Sequence, residues 1–429
     1  WGATGWAATG RGHLRDGFDG HVALAAPQLA LADCQASGVS GRLHLSIKQR
    51  TPSLDGPLGL AALRCANSKL SLGEVRLGVK ASLREDMSRW QVESGVRADR
   101  LAVNSLRSTS LTGRLTAAKR GDGRADATWQ LTGRDASSPW LNAQTVLLSG
   151  QGGLADDGTL LATGNVGVQD GRAGPDAMRR FASLAQWDAS TPVGPLVAKA
   201  GNALTRAGRS IALAGQYELQ RGRDGLLRLS LGDLAVTAAS GAAVRMEGER
   251  ALGWDSGRGL SLATVARIGG RGLPEGRVEL SRAGDGAALT GEARFAPYQA
   301  GDAVLALAPL TFTAAADGSA RFATGVALSG PLAGGRVDRL SLPLAGRVAA
   351  DGTVAISGEC RMLSWRGMRA ASVTLDPGAV RLCGEGGAPL LSFGPRGLRG
   401  GAMLPGLLLI GRAGDSALRL ASSGGRIGL

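Results

Sequence analysis

The sequence predicts a mainly β protein: a long, curved antiparallel sheet forming an elongated hydrophobic groove of repeating strands, with one short helical hairpin. Three observations carry that expectation. Apolar residues alternate with polar ones over long segments, as in Leu227/Leu229/Leu231 and Leu340/Leu342/Leu344, the period of a strand with one apolar face. Asp-Gly pairs, which favour tight hairpin turns, stand at Asp122-Gly123, Asp157-Gly158, Asp224-Gly225, Asp285-Gly286, Asp317-Gly318 and Asp351-Gly352, 32 to 35 residues apart or close to twice that. Finally, Gly is 68 of 429 residues and aromatics are 4%, so the apolar 44% is mostly Ala, Leu and Val. Such side chains cover a surface more readily than they fill a deep interior.

The elements follow in order. Strands are expected over residues 21–32, 41–48, 68–83, 90–103, 110–118, 126–132, 141–148 and 159–168. Gly, Asp, Ser or Pro occupies nearly every break between them. Then the period changes. Met178, Phe181, Leu184 and Ala185 recur at helical spacing after Pro175, and Thr191-Pro192 opens a second helix with Val193, Leu196, Val197, Ala200, Leu204 and Ala207 on one face and Gly208 as its stop. Strands resume over 210–220, 226–237, 259–268, 276–280, 287–295, 303–312, 320–328, 335–348, 353–362, 371–375 and 379–382. Residues 394–401 read as a glycine-rich connection, in preference to a phosphate-cradling loop, and 404–410 as a buried strand. Where the apolar phase flips, as between Leu231 and Leu234 across Gly232-Asp233, a bulge is expected. The domain division is residues 1–173 and 209–429 as two groove segments, with 174–208 as the helical insertion.

The net charge is +14, from 44 Arg and five Lys against 35 acids. No run of five basic residues occurs, and two Tyr and six Phe do not supply the stacking surface that nucleic-acid binding uses. No catalytic motif is present. The three histidines, His13, His21 and His44, have neither triad nor metal-ligand spacing, so neither an enzyme nor a metal or cofactor site is expected. Cys34 and Cys65, and Cys360 and Cys383, fall into two local pairs that either form disulfides on neighbouring strands or serve as small buried hydrophobes.

Long glycine-punctuated strands, the interruption from Thr191-Pro192-Val193-Gly194-Pro195-Leu196 to Gly208, and the stretch Cys360 to Cys383 followed by Gly394 to Gly401 resemble the AsmA-like envelope proteins of Gram-negative bacteria, closest to their YdbH-type, dicarboxylate-transport-like branch. That resemblance implies a periplasmic protein anchored in the inner membrane, whose repeating β-groove carries phospholipids between the inner and outer membranes. The sequence begins at Trp1, which reads as a segment of a longer chain with its anchor elsewhere. Leu227, Leu229, Leu231, Leu340, Leu342, Leu344, Val354 and Ile356 are expected to line the groove; packing against the helical hairpin or a second sheet is the alternative. Phospholipids are the expected partner, with an outer-membrane lipoprotein or a second copy at the groove edge. Two other functions compete: a structural or adhesive β-solenoid of the autotransporter-passenger kind, and a TamB-like role in outer-membrane protein assembly through strand pairing.

Overall fold

The computed structural model describes residues 5–13, 16–31, 33–67, 69–121, 123–186, 193–248, 250–332, 334–394 and 397–428. Asp122, Thr191, Pro192, Pro395 and Arg396, on which some expectations fall, lie outside them. Among the described residues the fold is mainly β, with 32 strands, two α-helices and a short 3₁₀ turn at Glu385–Gly387. Every strand pairing whose register is described is antiparallel, as expected. The chain divides into two compact units, residues 1–177 with 209–236 and 255–257, and residues 178–208 with 237–254 and 258–429. That division differs from the expected one at residue 209, because the strand that follows the helices pairs along its whole length with the one that precedes them.

The first unit holds β1 (Gly5–His13), β2 (Asp16–Leu31), β3 (Cys34–Lys48), β4 (Thr51–Cys65), β5 (Leu70–Leu83), β6 (Trp90–Val103), β7 (Leu106–Lys119), β8 (Arg124–Ser137), β9 (Leu141–Ala155) and β10 (Leu160–Ala173). After the helices α1 (Pro175–Ala185) and α2 (Gly194–Ala207) come β11 (Ile211–Arg221) and β12 (Leu227–Ala238). From β1 to β11 each strand pairs with the next. Within this unit the expectation missed β1 and β4, and later in the chain it missed others, among them Ala243–Glu247, Leu252–Asp255, Tyr298–Ala300, Ser416–Ser422 and Gly425–Gly428. β4 was hidden by Gly and Pro, since it carries Pro52, Gly56 and Pro57 and still keeps its register.

The Asp-Gly turns work as expected. Gly123, Gly158, Gly225, Gly286, Gly318 and Gly352 all have φ between 75° and 85°. The Asp side chain braces the turn: Asp157, Asp224, Asp317 and Asp351 each accept the backbone N–H two residues on, at 2.8 to 3.0 Å. Between Asp317 and Asp351 one period is two long strands and their turns, and between Asp285 and Asp317 it is four short ones. The doubled interval from Asp157 to Asp224 holds β10, α1, α2 and β11, so the helical hairpin fills the space of a missing strand pair.

The phase flips have one cause across the unit. Ser37, Ala62, Gly73, Asp99, Ser110, Arg134, Thr145 and Gln169 form one register row across β3 to β10. The next residue in β3, β5, β6, β8 and β10, namely Gly38, Glu74, Arg100, Asp135 and Asp170, has positive φ, and Asp233 in β12 repeats the pattern with φ 47°. Each is a bulge, whose extra residue bends the strand. The apolar set therefore changes parity in sequence, from Val92 and Val96 to Leu101 and Val103 in β6, while staying on one face.

The second unit contains β13 (Ala243–Glu247), β14 (Leu252–Asp255), β15 (Gly259–Gly269), β16 (Gly276–Arg282), β17 (Leu289–Phe295), β18 (Tyr298–Ala300), β19 (Ala303–Leu307), β20 (Leu310–Ala314), β21 (Ala320–Leu332) and β22 (Gly335–Val348). It continues with β23 (Val354–Ile356), β24 (Arg361–Trp365), β25 (Gly367–Ala370), β26 (Val373–Leu375), β27 (Gly378–Leu382), β28 (Leu391–Gly394), β29 (Gly397–Leu404), β30 (Leu407–Ala413), β31 (Ser416–Ser422) and β32 (Gly425–Gly428). Several expected strands are broken in two. Pro309 separates β19 from β20, and Pro405-Gly406 separates β29 from β30, because Pro cannot donate to the ladder. The expected buried strand over 404–410 is thus corrected: Leu404 is buried, whereas Leu408 and Ile410 are 48% and 51% exposed. Gly394 ends β28 and residues 397–401 lie on β29, the two strands pairing in register from Gly394 opposite Gly397, which agrees with a tight connection.

Helix α2 packs through Leu196, which joins Ala303 and Leu328 in a small core with Tyr298 and Val326 beside it. Lys199 donates to the Gln299 carbonyl at 2.6 Å and lies over the Tyr298 ring. The contact face differs from the expected one: Gly194, Leu196, Gly201 and Ala203 are buried, while Val193 is the exposed N-cap. Gly208 caps the C-terminus, its N–H donating to the Leu204 carbonyl. A second core joins Trp365, Val380 and Leu404.

Candidate functional site

Register turns the alternation into surfaces. In the first unit Leu77, Val96, Gly113, Leu131, Leu148, Val166 and Gly215 form one row across β5 to β11. The next row on the same face is Val79, Ser94, Leu115, Trp129, Gly150, Gly164 and Tyr217. On the other face Lys80, Glu93, Thr116, Thr128, Gln151, Thr163 and Glu218 stand opposite one another. One side of the sheet is apolar and the other polar.

The apolar side is only half-covered. Leu77, Leu131, Leu148 and Val166 are intermediate in exposure, Leu115 is 37% exposed and Leu154 47%. Among the described residues the largest side chain below 2% exposure is Val337.

Aromatic rings lie over cross-strand glycines, a pairing that restores the packing a Gly forfeits. A Cβ on Gly150 would come within 2.8 Å of the Trp129 ring and 2.5 Å of the Tyr217 hydroxyl. Across these glycines the Trp129 Nε1–H donates to Tyr217 Oη at 2.7 Å, and Tyr217 donates to the Ser149 carbonyl at 3.2 Å. Burial raises the Tyr217 phenol above its ordinary value, with the Trp129 bond opposing the rise. In the second unit Phe295 covers Gly276, Phe312 covers Gly291, Phe322 covers Gly346 and Trp365 covers Gly378.

The second unit has its own apolar row: Leu280, Gly291, Phe312, Phe322, Gly346, Ile356 and Leu391 run in register across seven strands. Leu340, Leu342 and Leu344 lie on the same face of β22, opposite Leu328, Val326 and Thr324, and Val354 stands opposite Val348 in the neighbouring row. Five of the eight expected lining residues thus share one face. Leu340 also packs against the Trp365 core. The other three belong to the first unit: Leu227 and Leu229 are 37% and 36% exposed on β12, with Leu231 half-buried. The rows through Leu131, Leu148 and Val166 and through Phe312 and Phe322 were not singled out in the sequence. The turns contained the signal, since a hairpin pairs residues symmetrically about its turn: Leu154 with Leu160, Gly150 with Gly164.

Both cysteine pairs are disulfides, Cys34–Cys65 with S–S 2.02 Å and Cys360–Cys383 with S–S 2.01 Å. Cys34 and Cys65 are directly opposite on β3 and β4. His44 meets Asp19 at 3.1 Å and lies edge-on to His21, with His44 and Asp19 both exposed. Among the described residues no three His, Cys, Asp or Glu converge as metal ligands, and no helix is long and apolar enough to cross a membrane.

Comparison with protein-family models, with curated proteins and with solved structures returns no match.

Proposed function

We propose that the apolar face of each unit holds the acyl chains of phospholipids, and that the chain is the periplasmic part of an envelope protein that carries them between inner and outer membranes. The observation behind this proposal is the half-exposed apolar face backed by a polar one. Each 100 Å² of such surface covered by acyl chain gains about 2.5 kcal/mol. A row of Leu, Val and Phe without polar partners offers many equivalent weak contacts, which suits sliding better than tight capture. Two disulfides agree with an oxidising compartment, and the resemblance to AsmA-like proteins points the same way. The wholly exposed edge strand β1 is where a lipoprotein partner or second copy would add.

Native mass spectrometry with lipid extraction tests the proposal on the chain purified from an envelope-bearing host. Phospholipid is expected to co-purify and to be lost in Leu148→Asp for the first unit and Leu342→Asp for the second. A lipid-free, fully stable protein would overturn it in favour of a scaffold or adhesin.

A further inference from the structure

The first unit carries a second feature, at one end of the polar face. Ser82, Gln91, Ala118 and Asp126 form the last polar row across β5 to β8. Beyond it the turns bring in Arg84, Arg89 and Arg120, and these residues border a cleft of about 640 Å³, within the range of small-molecule sites.

The charges in this cleft are unbalanced. Its carboxylate, Asp126, is engaged by Arg124 at 2.9 Å, and its Lys119 by Asp156 at 2.7 Å. Arg84 attracts Asp86, but that carboxylate already accepts the Ser88 hydroxyl and amide at 2.7 and 3.0 Å. The guanidinium groups of Arg89 and Arg120 have no ion-pair or hydrogen-bond partner among the described residues, although the Arg89 carbonyl accepts the Arg84 backbone N–H at 2.9 Å. Arg89 lies against the β7–β8 turn, its Nε 3.3 Å from where a Cβ on Gly121 would sit, which brings its guanidinium beside Arg120. Three guanidiniums and Lys119, bordering one cleft against the single lining carboxylate Asp126, repel one another. An oxyanion among them reverses that repulsion and accepts several charge-assisted bonds. Phosphate, with more oxygens and charge than a carboxylate, suits three guanidiniums. Trp90 and Leu83 add apolar wall for an organic group attached to it.

We infer that this cleft binds the phosphate group of an organic phosphate, either a soluble compound or a lipid head group, with Arg84, Arg89 and Arg120 as its ligands. The inference does not rest on acyl-chain binding, because the cleft is lined mainly by polar-face residues.

Titration calorimetry of the whole chain with glycerol 3-phosphate tests it, alongside flotation with phosphatidylglycerol and phosphatidylcholine vesicles. Saturable binding is expected, weakened about tenfold in Arg89→Gln and again in Arg120→Gln, and unchanged in Arg369→Gln, which removes the same charge from an exposed position in the second unit. Phosphatidylglycerol flotation that Arg89→Gln abolishes would assign the site to a lipid head group; binding of the free compound without flotation would assign it to a soluble phosphate. Absence of saturable binding, or equal weakening by Arg369→Gln, would overturn the inference. Retention of co-purified lipid in Arg89→Gln and its loss in Leu148→Asp would separate this cleft from the apolar face.

Discussion

In the first unit, twelve strands of 9 to 16 residues carry one apolar face, and those from β1 to β10 follow one another in sequential hairpins, with β11 pairing β10 after the two helices. In the second, strands of 3 to 14 residues break, exchange neighbours and leave β22 paired with four others, β21, β23, β24 and β25. Both units keep an apolar side and a polar side. They differ in how a strand bends: the first repeatedly inserts a residue at positive φ and keeps its ladder, whereas the second does so at Arg339 in β22 and elsewhere stops at Pro and starts again. A bulge preserves a long face of uniform register, whereas a break lets neighbouring segments fold over a local core such as that of Trp365, Val380 and Leu404. On the proposed lipid-carrying function, the first unit would suit a mobile apolar ligand better and the second a fixed one.

The largest expected effect concerns the disulfides. Cys34–Cys65 closes a separation of 31 residues and Cys360–Cys383 one of 23, so the chain-entropy relation gives about 3 to 4 kcal/mol for each. Paired Cys→Ser variants followed by urea unfolding should lose near-equal stability; a much larger loss in the second unit would mean that its broken strands lean on the staple. Next, deleting Glu74 removes one bulge and forces either Leu70 and Leu72 or Leu77 and Val79 to the polar side, a loss of about 3 kcal/mol for two leucine-sized side chains. An unchanged unfolding midpoint would refute the role given to the bulge row.

Third comes the seating of aromatics. Gly150→Ala would push a methyl within 2.5 Å of the Thr163 carbonyl and the Tyr217 hydroxyl, and should cost about 1 to 3 kcal/mol. Gly95→Ala, with nothing within 4 Å, should cost little. Equal effects by thermal unfolding would remove the distinction between seat and spacer. The smallest effect is a pH dependence. The Thr159 hydroxyl and amide, then Arg223, hold the exposed Asp157 carboxyl down at about 2. A carboxyl depressed in the folded state stabilises fully above its unfolded value near 4 and loses that contribution as pH falls toward 2. Asp157→Asn should flatten that part of the stability-versus-pH curve slightly, lower the plateau above it a little and leave the slope above about pH 5 unaltered.

Much of the architecture was legible in the residues. Alternation and Asp-Gly turns found β6 (Trp90–Val103) and β22 (Gly335–Val348) to the residue, and the flip at Gly232-Asp233 marked a bulge. Legibility failed where Pro and Gly have two uses. Pro57 sits inside β4 while Pro405 ends β29, and only the neighbouring strand decides which. The lining residues were legible by face but not by neighbour: Leu342 reads as apolar-side from β22 alone, whereas its partner Val326 depends on the hairpin register. The arginine cleft was illegible, since Arg84, Arg89 and Arg120 are ordinary turn residues until two hairpins lie side by side.

The sequence by itself determined which side of each strand is apolar, where the tight turns fall and that a helical hairpin interrupts the strands, because these are local consequences of side-chain period, positive φ and capping. Only the tertiary structure decided how far each face is covered, which glycines seat an aromatic ring, which cysteines bond and which charges are left without a partner. Those outcomes depend on residues far apart in the chain, and local propensity holds no information about what will stand across from it.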